Sequence, residues 1–108
     1  MQIQKRFKVG STPIQPTMPG HLLLADDKIL MAEAVEGELA LRVIEKGGRE
    51  SYALRIRQGE MASRMRCRRG QITLQDGAGM YRCHIEAEDA EVTDFFASMP
   101  EGFVLAEC

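Results

Sequence analysis

Residues 38–57 read ELALRVIEKGGRESYALRIR, and this stretch decides the fold. Two apolar runs alternate at period two on either side of Lys46-Gly47-Gly48-Arg49, where the paired glycines supply the positive φ values of a two-residue type I′ hairpin turn. Counting outward sets Val43 opposite Tyr52, Leu41 opposite Leu54 and Leu39 opposite Ile56. Six apolar side chains then share one face, Glu38 lands opposite Arg57, and a one-residue slip would scatter the set.

Toward the N-terminus, Glu36-Gly37 reads as a second tight turn that brings Leu30, Ala32 and Ala34 opposite Val43, Leu41 and Leu39. A further turn at Asp26-Asp27 would pair Leu23 with Leu30. In that register Leu22, Leu24, Ile29, Met31 and Ile44 gather on the opposite face, which leaves this end of the sheet apolar on both sides.

Toward the C-terminus the same logic recurs. Asp76-Gly77 is a type I′ signal that places Leu74 opposite Gly79 and Ile72 opposite Tyr81, while a turn at Arg69-Gly70 places Cys67 opposite Ile72 and Met65 opposite Leu74. One face carries Met65, Cys67, Ile72, Leu74, Tyr81, Cys83 and Ile85. The other carries Arg64, Arg66, Arg68, Gln71, Thr73, Gln75, Met80, Arg82 and His84. Two three-stranded meanders, each with one apolar face, predict a small antiparallel β-sandwich or β-barrel.

One helix is expected over residues 90–99, where Val92, Phe95, Phe96 and Met99 recur at helical spacing behind Asp89 and Glu91, and Pro100 with Gly102 ends it. A helix this short must dock, and the doubly apolar end near Ile29 and Met31 is its expected berth. Phe103–Leu105 suggests a last short strand and Ile3–Val9 a first one. Between that first strand and the rest, Pro13, Pro16 and Pro19 interrupt residues 10–20 and impose an extended, polyproline-like arm.

With 108 residues, 44% of them hydrophobic and 28% charged, the chain has the composition of one globular domain spanning 1–108, with 1–20 as its strand and arm. No apolar run reaches the roughly 20 residues of a membrane-spanning helix, and Met1–Arg6 lacks the apolar core of a secretory signal, so an intracellular protein is expected. Three widely spaced cysteines form no disulfide framework and favour a reducing compartment. The net charge of −2 is unevenly spread. Residues 1–41 carry −1, residues 42–82 carry +6 with nine arginines, and residues 83–108 carry −7 without a single Lys or Arg. An acidic end folded over a basic middle would neutralise both, and a surface for a charged partner would neutralise neither.

Catalytic and metal signatures are absent from the sequence. Cys67, Cys83, His84 and Cys108 are metal-ligating types at the wrong spacing, and the two strand cysteines fall on non-adjacent strands roughly 11 Å apart, which predicts buried, reduced thiols. His21 and His84 sit in no nucleophile motif, and the glycines mark turns, not a phosphate loop. No enzyme activity and no cofactor is therefore expected. The pointed feature is the row Arg64, Arg66, Arg68, joined by Arg82, whose alternate positions lie roughly 6.6 Å apart and suit bidentate contacts to phosphate or carboxylate.

Two functions from different classes fit these features. The first is a structural or adaptor subunit of a larger protein assembly, such as a viral particle, in which the arm and apolar edge (Pro13, Ile14, Pro16, Met18, Leu22, Leu24 and Met31) dock onto other subunits or other copies of the chain. The second is a small nucleic-acid-binding β-barrel that uses Arg64, Arg66, Arg68 and Arg82.

Overall fold

A computed structural model describes residues 20–57, 60 and 64–99, which fold as two antiparallel sheets and one helix. The expected strands at 3–9 and 103–105 and the arm at 1–19 lie outside the described residues. The first sheet has four strands in chain order, β1 (Gly20–Leu23), β2 (Ile29–Val35), β3 (Glu38–Ile44) and β4 (Glu50–Arg57). The second has three, β5 (Met65–Arg68), β6 (Gln71–Asp76) and β7 (Gly79–His84). Helix α1 spans Asp89–Ala97. The protein is mainly β, and the described strands do not close into a barrel.

Strands β2 to β4 keep the register expected from residues 38–57, with Val43 opposite Tyr52, Leu41 opposite Leu54, Ala32 opposite Leu41 and Glu38 opposite Arg57. The turn itself is one residue longer than expected. Glu45 N–H donates to the Arg49 carbonyl at 2.8 Å, and an irregularity between Val43 and Ile44 absorbs the extra residue. Gly47 and Gly48 both take positive φ, 95° and 89°. The bulge thus restores the inward alternation that burial demands.

Two expected pairings are corrected. Leu30 faces Leu22, not Leu23, because Ala25, Asp26 and Asp27 form a three-residue loop closed by Leu24 N–H to the Lys28 carbonyl at 2.8 Å. Asp26 and Asp27 both adopt left-handed φ near 60°, which aspartate tolerates better than most residues. The one-residue slip turns Leu22 and Leu24 into the core, each 1% exposed, and leaves Leu23 49% exposed. In the second sheet Tyr81 faces Leu74, and Ile72 faces Cys83. Asp76, Gly77, Ala78 and Gly79 carry the residue pattern of a type I turn, and the Asp76 Oδ1 accepts the backbone N–H groups of Ala78 and Gly79 at 2.8 and 3.0 Å. Gly79, not Gly77, takes the positive φ, at 148°. The slip is two residues, so every side chain keeps its expected face.

One apolar cluster runs through both sheets and the helix, with Leu30, Leu39, Leu41, Ile56, Ile72, Leu74 and Phe96 at its centre. The sheets meet through Leu24, which bridges to Ile85, and through Tyr52 on β4, whose ring stacks on Tyr81 of β7 at 4.8 Å. Tyr52 Oη donates to Asp76 Oδ2 at 2.9 Å, and Lys28 Nζ donates to Tyr81 Oη at 3.3 Å. Helix α1 begins at a capping box in which Glu88 and Glu91 satisfy each other's backbone N–H groups. It buries Val92, Phe95 and Phe96 and packs on β1, where the Phe95 ring lies beside Gly20.

A candidate anion-binding sheet face

The outer face of the second sheet is built by alternation. Met65 and Cys67 point into the core, so Arg66 and Arg68 point out, and the same parity sends Gln71, Thr73, Arg82 and His84 to that side. The register aligns Arg66, Thr73 and Arg82 in one row and Arg68, Gln71 and His84 in the next. Two basic flanks, on β5 and β7, therefore stand about 9.6 Å apart across the uncharged centre of β6, with neighbours along each strand about 6.8 Å apart.

Arg66, Arg68 and Arg82 are exposed, and among the described residues they make no hydrogen bond and no ion pair. Arg64 differs. Its Nε donates to the Gln75 carbonyl at 2.9 Å and a terminal nitrogen reaches Glu60 at 3.4 Å, so it ties the start of β5 to its neighbours and stands apart from the other three. The other ion pairs among the described residues, Arg42–Glu50 and Lys46–Asp27, lie at the other sheet. An acidic C-terminal segment folded over the basic middle is thus not what the described residues show.

The apolar edge expected as an interface is also redistributed. Leu22 and Leu24 are core residues, Met31 is half-buried on the outer face of the first sheet, and Pro13, Ile14, Pro16 and Met18 lie outside the described residues. Beside β1 a shallow open groove of about 500 Å³ is lined by His21, Leu23, Ile29, Glu91, Asp94 and Phe95. Sequence reasoning missed this groove because the slip at Asp26-Asp27 decides which leucine faces it.

The cysteines divide. Cys83 is a free, buried thiol that burial pushes up to about 11, so it stays protonated near neutrality. Cys67 is disulfide-bonded, which corrects the expectation of a reduced thiol. Its partner is not Cys83, which is free and lies across Ile72 on a non-adjacent strand. The disulfide removes the cysteine argument for a reducing compartment. Among the described residues no group of three metal-ligating side chains gathers, and no helix is long and apolar enough to cross a membrane. Comparison with family models, with curated proteins and with solved structures found no match.

Proposed function

We propose that the chain is a non-enzymatic structural or adaptor subunit that joins a larger protein assembly through its charged surfaces. The supporting observation is that Arg66, Arg68 and Arg82 stand on one sheet face with no acid against them among the described residues. An unopposed guanidinium cluster suits carboxylates or phosphates of a partner.

The second reading, nucleic-acid binding, draws on the same arginines and on the hydrogen-bonding centre of Thr73 and Gln71. Among the described residues it lacks a stacking platform. The described aromatic rings are engaged elsewhere, Tyr52 against Tyr81 and Phe95 against Phe96, and none lies on the arginine face.

The native protein, purified from its source, is expected to run as part of a larger protein complex, and Arg66→Gln, Arg68→Gln and Arg82→Gln together should release it. A filter-binding series against single-stranded and duplex nucleic acid is the counter-test. Tight binding with a salt slope near three, lost in the triple variant, would replace the assembly reading by the second one.

A further inference from the structure

From the charge distribution we infer that the occupant of the arginine face is a second copy of this chain, which lays the acidic outer side of its α1 across β6, so that copies associate head to tail. The inference rests on the assembly reading and names its partner.

Three features point to this occupant. The first is complementarity of sign. The run from Glu86 to Asp94 exposes Glu86, Glu88, Asp89, Glu91 and Asp94 and contains no base, while the rows Arg66–Thr73–Arg82 and Arg68–Gln71–His84 contain no acid. The second is that, among the described residues, the two surfaces do not satisfy each other within one copy. Val92, Phe95 and Phe96 hold α1 against the core and β1, and none of the described ion pairs joins the acidic run to the arginine face. The third is shape. A helix with side chains is about 10 Å across, close to the roughly 9.6 Å between the basic flanks. Thr73 and Gln71, uncharged and central, offer the helix a hydrogen-bonding floor.

A head-to-tail contact leaves one basic and one acidic surface free on every dimer, so it propagates. Because the pairs are exposed, each contributes little and salt screens it. Weak association at low salt is the expected behaviour.

Sedimentation velocity on the full chain tests this. The wild type is expected to grow with concentration at about 20 mM salt and to be monomeric at about 0.5 M, where the Debye length has fallen to a few ångströms. Arg66→Gln, Arg68→Gln and Arg82→Gln form a basic-face variant. Glu86→Gln, Asp89→Asn and Asp94→Asn form an acidic-side variant that spares Glu88 and Glu91, which cap the helix. Each variant alone should lose about tenfold or more in association. Mixed, they should form a dimer that stops at two, since one retains the acidic side and the other the basic face. Circular dichroism establishes that both remain folded, and the wild-type salt series needs no variant. A wild type that stays monomeric at low salt, or an oligomer that either variant still forms alone, overturns the inference. A monomeric wild type that still joins its native assembly through the arginine face overturns the self-association alone. Arginine-dependent nucleic-acid binding by the monomer overturns the assembly reading with it.

Discussion

Tyr52 shows how a single side chain reports on the closure of the two sheets. Burial and the hydrogen bond to Asp76 raise its phenol from 10 to about 12, because the folded state favours the neutral, donating form. The stabilising contribution is therefore complete below pH 10 and is lost as the pH rises through about 12. The same bond, with the Ala78 and Gly79 amides, holds Asp76 below its ordinary value of 3.8, so that contribution is present above 3.8 and fades as the pH falls through the lowered value. Denaturation midpoints measured across pH should show steeper alkaline and acid limbs for the wild type than for Tyr52→Phe. Identical limbs would mean that the bond is not formed. Cys67 and Cys83 give a second check, since alkylation of the denatured chain without reductant should label Cys83 and leave Cys67 unlabelled. Neither the Tyr52–Asp76 bond nor the Lys28–Tyr81 bond was legible in the sequence. Lys28 meets Tyr81 from a distant loop, and nothing local to either residue encodes it.

Turns carried most of what could be read, and turn chemistry is where the reading slipped. Glu36-Gly37 and Arg69-Gly70 adopt positive φ at both positions, 42° and 84°, then 53° and 76°, as two-residue hairpins with glycine second require. Strands on either side of them pair as expected. Asp76-Gly77 carries the same dipeptide signal but a different solution, because Asp76 caps the turn with its own carboxylate and moves the glycine requirement to Gly79. Substitution separates the two registers. Gly77→Ala should be neutral or slightly stabilising, since Gly77 has an ordinary φ and open space where a Cβ would sit. Gly79→Ala should cost about 1 kcal/mol or more from its positive φ alone. The reverse order, measured by urea unfolding, would restore Gly77 as the left-handed residue. Arginine parity on β5 and β7 was legible because alternation alone sets it, whereas the engagement of Arg64 by the Gln75 carbonyl was not.

Shared burial makes the two sheets one cooperative unit. Leu41 on β3 and Ile72 on β6 are both fully buried in the same cluster, which also takes in Phe96 from the helix, so neither sheet has an apolar face that would remain covered if the other opened. The Tyr52–Tyr81 stack and the Leu24–Ile85 bridge add contacts that exist only when both sheets are in place. Unfolding is therefore expected to be a single transition. Leu41→Ala should lower stability by about 2–4 kcal/mol, the range for emptying a buried leucine site, and Ile72→Ala should fall in the same range. Each should shift the one midpoint without splitting it and without changing the denaturant slope, because the surface exposed on unfolding is that of the whole cluster. Amide exchange supplies the independent reading. In the Leu41→Ala protein the central amides of β6 should lose protection together with those of β3, although the substitution lies in the other sheet. Retention of wild-type protection in β6 while β3 exchanges would show that the sheets open separately. A loss from Leu41→Ala under roughly 1 kcal/mol would show that the cluster collapses around the vacancy.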